Sequence, residues 1–304
     1  GMAVTVAALA AAPAMAQAAN ETVAQDSGAV EDIVVTAQRR RERVQDVPIA
    51  ITAFTAETLQ ARGVQNALDL TQFVPNLVGL NNTGLGTANA YYLRGVGNTE
   101  SIATFDPPVG TYVDDIYISR QNANNFNLFD VERVEVLRGP QGILFGRNTT
   151  GGAITVHMRE PGEKLGGYVE AGYGAYDAKM LRAGIDLPVS DSFALKVSGY
   201  WQADDGYVRN TLTNERLNNN NGWGLRVGAR AKLSESVTWN GSFTHTFADA
   251  TNVLNFDCNP ANPAQCNGRF ATTGLRIRND FGGRLTGAKD DFGNGNKARM
   301  TLLT

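Results

Sequence analysis

The side chains best suited to chemistry are few, and their spacing argues against a catalytic centre. Asp114 and Asp115 are adjacent carboxylates. A general acid and base must converge on one substrate, yet neighbours on a strand point to opposite faces and Asp is favoured in tight hairpins, so the pair reads as a turn. His157 and His245 are the only histidines, and neither sits in a nucleophile, base and acid pattern. Cys258 and Cys266 enclose Asn259-Pro260-Ala261-Asn262-Pro263-Ala264-Gln265, and two thiols with no nearby histidine are not a metal-ligand set. The turn Arg138-Gly139-Pro140-Gln141-Gly142, with Gly146, Gly151 and Gly152, lacks the Gly-Lys-Ser/Thr ending that cradles a nucleotide phosphate. Gly95-Val96-Gly97 lacks the third glycine of a dinucleotide loop. Tight turns account for these glycines, and the expectation is a non-enzymatic protein with no cofactor and no metal.

The elements that must position these residues fall into two blocks. Residues 47–161 mix short strands and helices as one α+β domain. A strand is expected at Ile49–Phe54, then a helix capped by Thr55 and ended at Gly63, then a second helix over Asn66–Phe73 that stops before Pro75. Further strands are expected at Tyr91–Gly95, Gly110–Val113, Ile116–Ser119, Arg133–Leu137 and Ala153–Met158, with a short helix near Ala123–Phe129.

After Pro161 the apolar period becomes two. Phe193, Leu195, Val197, Gly199 and Trp201 alternate with polar or small residues, as do Trp223, Leu225, Val227, Ala229, Ala231 and Leu233, and then Val237, Trp239, Gly241, Phe243 and Phe247. In a soluble sandwich the apolar face would be the core, whereas in a membrane β-barrel it faces lipid. Turn lengths favour the barrel. Val189–Ser192 and Ser234–Ser236 are tight, while 204–221 and 249–296 are long, the alternation of brief periplasmic turns and longer outer loops. Tyr173, Trp201, Trp223 and Phe247 near strand ends suit interfacial girdles.

The net charge of -3 gives no electrostatic footprint for nucleic acid. The first sixteen residues are apolar and end in Ala14-Met15-Ala16, like the end of a secretory signal cleaved before Gln17, and the missing basic start suggests that the sequence opens inside that signal. Residues 17–46 read as a flexible periplasmic leader that holds one β-branched run, Ile33-Val34-Val35-Thr36, ahead of Arg39-Arg40-Arg41. An exported chain meets oxidising conditions, so Cys258 and Cys266 are expected to close as a disulfide.

Four segments together resemble the TonB-dependent receptor family: Asp32-Ile33-Val34-Val35-Thr36-Ala37, Tyr92-Leu93-Arg94-Gly95-Val96-Gly97, Tyr112-Val113-Asp114-Asp115-Ile116-Tyr117, and the run from Phe129 through Glu132, Arg133, Glu135, Arg138, Gly139, Pro140, Gly142, Gly146, Gly151 and Gly152 to Ile154. The resemblance covers residues 31–161 strongly and the later strands only in type. It implies an α+β plug domain (47–161) followed by the first strands of a transmembrane antiparallel β-barrel of about 22 strands, of which residues 162–304 supply roughly six, so the chain is expected to be a fragment. It implies that 32–37 is the TonB box, which recruits a TonB-type inner-membrane energy-coupling protein by strand addition, in a receptor seated in outer-membrane lipid. Arg94, Glu132, Arg133, Glu135 and Arg138 are expected to form ion pairs within the plug or with the barrel wall. The implied cargo is a large scarce nutrient, foremost an iron chelate of the ferric siderophore type, with cobalamin or glycan as alternatives and a non-importing receptor as the competing class. Thr99, Glu100 and Phe105 in outward loops are candidate cargo contacts.

Two of these expectations are open to one measurement. Peptide mass spectrometry of the receptor taken from outer membranes should find a mature chain beginning at Gln17 and, without reductant, a peptide pair joined through Cys258 and Cys266. Retention of Gly1–Ala16, or quantitative alkylation of both thiols without reductant, contradicts the respective expectation.

Overall fold

The computed structural model describes residues 34–36, 40, 42–81, 88–98, 105–209, 216–217, 219–250 and 296–304. Its first unit is built on a five-stranded sheet in the order Ile51–Thr55, Val131–Arg138, Gly152–Met158, Val109–Val113, Ile116–Tyr117. All neighbours are antiparallel except Gly152–Met158 and Val109–Val113, which run parallel. A three-stranded sheet of Leu77–Asn81, Asn89–Leu93 and Val96–Gly97 packs beside it.

Local chemistry explains the helical pieces. Thr55 Oγ1 accepts from Thr58 N at 3.3 Å and starts the helix Ala56–Ala61, and Gly63 at φ +66 takes the left-handed step that ends it. Asn66 and Asp69 cap one another's backbone in a capping box, but the turn they open, Ala67–Gln72, is a 3-10 helix rather than the α-helix expected there. The expected helix near 123–129 is only a 3-10 turn at Gln121–Ala123. Asn66 and Asn127 form a β-bridge, and Leu128 N donates to Gln65 O, so the chain at 126–128 is extended against its neighbour. Leu77–Asn81 forms a strand where the sequence pattern predicts none; only alternate side chains on it are well covered, and Val78 and Leu80 stay exposed.

The strand Val131–Arg138 is buried on both faces, for two different reasons. Val134 and Val136 enter the main core with Phe54, Leu59, Leu70, Leu93, Ile154 and Val156. Leu137, on the opposite face, packs in a second cluster with Val35, Val47, Tyr112 and Ala153. That cover comes from the leader. Val34–Val35 pairs antiparallel with Glu42–Arg43, and Val35 is 0% exposed. The part of the leader that lies within the described residues is therefore docked, where low hydrophobicity suggested a free segment.

The second unit is a six-stranded antiparallel meander: Gly166–Gly174, Ala178–Ser190, Phe193–Ala203, Asn221–Lys232, Thr238–Ala250 and Asn296–Leu303. Its faces are inverted relative to a soluble sheet. Ala194, Lys196, Ser198 and Tyr200 are buried against the first unit, as are Arg182 and Arg226, while Trp201, Trp223, Leu225, Val227, Trp239 and Phe243 stand exposed. Water would punish such a surface and hydrocarbon would not. No helix among the described residues is long and apolar enough to cross a membrane. The six strands form an open sheet.

Substitutions at two positions separate the roles of the units. In the full-length receptor, Val227→Arg places a charge on the lipid face near mid-strand and should destabilise by about 2–4 kcal/mol, whereas Val227→Leu should cost less than about 1.5 kcal/mol. Gly152 lies at φ +149, and a Cβ there would stand 2.2 Å from Leu137 O, so Gly152→Ala should cost about 1–3 kcal/mol within the first unit. Urea unfolding in lipid vesicles measures both.

Candidate functional site

The leader meets the first unit at one polar cluster. Thr36 N donates to Glu135 Oε1 at 2.8 Å, and Thr36 Oγ1 lies 3.2 Å from the same oxygen. Arg133 Nη2 donates to Thr36 Oγ1 at 3.0 Å, and His157 Nε2 stands 3.1 Å from it. Arg133 also donates through Nε to Glu135 at 2.9 Å and through Nη1 to Glu132 at 2.7 Å. Glu135 is 1% exposed, so its charge depends on these donors. Burial, followed by the charge of Arg133, holds the His157 imidazole below its ordinary pKa, although Glu135, Asp115 and Asp114 pull the other way.

Three of the five charged residues expected to pair are thus brought together: Glu132, Arg133 and Glu135. Arg138 instead meets main chain, with Nη2 3.5 Å from Ile51 O and its amide bonded to Ala50 O. Arg94 sits at φ +54 beside Gly95 at φ +80 in a tight hairpin, and a Cβ on Gly139 would come 3.3 Å from Arg94 Nη1. The Gly139–Gly152 loop is closed on itself. Gly139 N donates to Gly151 O, Gln141 N to Thr149 O and Gly146 N to Gly142 O, so these amides are turned into the loop and not toward an anion. Gly142 opens the helix Gly142–Phe145, and Pro140 is exposed. Of the candidate cargo contacts, Phe105 is exposed, while Thr99 and Glu100 lie outside the described residues. Asp32, Ile33, Ala37, Cys258 and Cys266 also lie outside them.

A second set of contacts joins the first unit to the polar face of the strand wall. Arg226 Nη2 forms an ion pair with Asp114 Oδ2 at 2.8 Å, and Asp114 Oδ1 accepts from Met158 N at 2.9 Å. Asp114 and Asp115, at φ +45 and +66, do make the two-residue hairpin turn, and the turn is also the anchor for a wall arginine. Lys196 Nζ lies 3.4 Å from Asp130 and 3.2 Å from Asp186. Burial raises the Asp130 pKa against the pull of its Ser198 and Lys196 contacts. Arg182 Nη2 donates to Asn127 Oδ1 at 3.0 Å and to Gln65 O at 3.2 Å, and the Phe129 and Tyr200 rings lie 4.9 Å apart. Asp114, Asn127, His157 and the wall cations carried no sequence signal of these roles, because each partner is distant along the chain.

His245, on the apolar register, is tied by Nδ1 to Thr301 Oγ1 at 2.8 Å and lies 5.6 Å from the Trp223 ring, which gives its polar edge a partner in mid-strand.

Known proteins can be set against this geometry. The family model described as TonB-dependent Receptor Plug Domain matches residues 43–153. The pesticin receptor of Yersinia pestis is 31% identical over 204 residues, covering 66% of this chain and 29% of that protein. The vitamin B12 transporter BtuB of Vibrio vulnificus is 23% identical over 269 residues, covering 88% of this chain and 40% of its own length. The crystal structure of the ferric yersiniabactin uptake receptor FyuA from Yersinia pestis superposes with a TM-score of 0.62 at 26% identity, covering 67% of this chain and 32% of that one. The chain thus spans less than half the length of these relatives. A compact domain matched as a plug is seated on the polar face of a sheet whose other face suits lipid, and the chain belongs to the TonB-dependent outer-membrane receptors, of which it carries the plug domain and six strands of the wall.

Proposed function

We propose that the full receptor takes up a ferric siderophore across the outer membrane, driven by a TonB-type inner-membrane partner that adds a strand to residues 32–37. The observation that carries this reading is the docking of Val34–Thr36, which pairs as a two-residue strand with Glu42–Arg43 of the same leader and meets the plug through Val35 and one polar cluster. Such a contact is strong enough to seat the segment and small enough to be exchanged for a partner's main-chain hydrogen bonds. Force applied there acts first on the strand that carries Arg133 and Glu135, which lies inside the plug sheet between Ile51–Thr55 and Gly152–Met158.

Siderophore cargo is favoured because the relatives include a receptor for ferric yersiniabactin; a vitamin B12 transporter among them keeps cobalamin as the alternative. Thr99, Glu100 and Phe105 are the proposed cargo contacts in this chain. The segment at 32–37 and the plug motif residues have no chemical step to perform, so the reading is transport and not catalysis.

The coupling role predicts a split between binding and uptake. Val34 is 45% exposed, so a change there leaves the plug core alone. Proline at 34 removes a strand donor, and Val34→Pro should lower accumulation of radiolabelled iron chelate about tenfold or more, with surface binding kept within about twofold; Val34→Thr should stay near the parent. Parental uptake by Val34→Pro at equal receptor abundance overturns the coupling role and favours a receptor that binds without importing.

A further inference from the structure

His157 is the member of the docking cluster that no transport step yet uses. It sits on Gly152–Met158, one strand over from Arg133 and Glu135, and its Nε2 points at the hydroxyl of Thr36. A hydroxyl has one proton and two lone pairs. With the proton given to Glu135 Oε1, one lone pair takes Arg133 Nη2–H and the other takes His157 Nε2–H, so the neutral Nε2–H tautomer saturates Thr36. Thr36 in turn supplies two of the three donors that reach Glu135 Oε1, one from its amide and one from its hydroxyl, the third being Arg133 Nε.

The departure of Thr36 would change the balance at both groups. His157 Nε2 is already 3.6 Å from Glu135 Oε1, with the threonine wedged against both. Removing the wedge leaves a carboxylate short of donors beside an imidazole that can become a cation. The other charges facing the ring are Arg133 from the neighbouring strand Val131–Arg138, Asp114 and Asp115 from the hairpin turn, and Arg226, which neutralises Asp114 from the wall; Glu132 and Glu160 line the same cleft.

We infer that His157 is a positioning residue for the coupling segment: neutral, it completes the bonds that hold Thr36 docked, and protonated, it takes Thr36's place on Glu135, so that acid releases the segment. The inference rests on the reading of residues 32–37 as the coupling segment, and it names a regulation of that site. Linkage sets the sign. In the docked state burial and Arg133 depress proton affinity at the ring, while in the released state the ring is wetter and faces an under-paired carboxylate, so the released state binds the proton more tightly and gains population as pH falls.

The test uses the full-length receptor in outer-membrane lipid vesicles, with Cys258 and Cys266 replaced by serine and a nitroxide attached at Val34→Cys. The ratio of mobile to immobile label reads release directly. In the parent it should rise about tenfold between roughly pH 7.5 and pH 5, since each unit of pKa difference between the two states is worth a factor of ten. His157→Gln keeps an N–H donor that does not titrate, and should hold the segment docked with a flat pH profile. His157→Leu should raise the mobile fraction at every pH and also lose the slope. A flat parental profile, or an unchanged slope in His157→Gln, overturns the inference. Because the readout is docking, an acid-dependent release in a receptor whose uptake ignores Val34→Pro would leave the latch standing and remove only its role in transport.

Discussion

A sheet that buries its polar face must find a partner for every charge it encloses, and the rest of this molecule is arranged around that constraint. Arg182, Lys196 and Arg226 project from the wall toward the plug, and each ends within reach of a plug oxygen on Asn127, Asp130 or Asp114. Leaving one such charge without its partner would cost about 3–5 kcal/mol, while the pair itself adds little net stability over an apolar contact. Contacts of that kind fix where the plug sits without cementing it. They are specific, polar and replaceable by water.

The same logic operates on the other side of the plug sheet at smaller scale. Glu135 is buried where the leader meets it, and two of the three donors to its Oε1 come from Thr36 of that leader. A buried carboxylate whose satisfaction depends on a removable segment makes docking favourable and makes its loss felt in the strand Val131–Arg138. The apolar part of the contact, Val35 against Leu137 and Ala153, adds burial without direction; Thr36 and its three partners supply the register.

Much of this was legible in the sequence, and the limits have physical causes. The wall strands announce themselves by period-two alternation, and the structure places strands at 193–203, 221–232 and 238–250, where Leu195, Trp223 and Trp239 mark the apolar face. The long and short connections were also readable, except that the turn at Ala175–Asp177, on the long-loop end, is only three residues. Helix type was not readable at 67–72, since a capping box starts an α turn and a 3-10 turn alike. Leu77–Asn81 hid because only part of it is buried, and short strands beside proline carry little periodicity. Asp114 was recognisable as a turn former, but its wall arginine lies 112 residues on, beyond any local pattern. His157 looked isolated for the same reason, with Thr36 121 positions away. Local chemistry writes turns and caps into a sequence; pairings between distant strands appear only once the sheet is assembled.

The central claim is the orientation of the wall, polar face to the plug and apolar face to lipid, and a spin-label scan along Phe193–Ala203 in lipid vesicles tests it most directly. Labels at Leu195, Val197 and Trp201 should collide with oxygen dissolved in the bilayer, while labels at Lys196, Ser198 and Tyr200 should be immobilised and shielded from it. The opposite phase, or no alternation at all, would contradict the account.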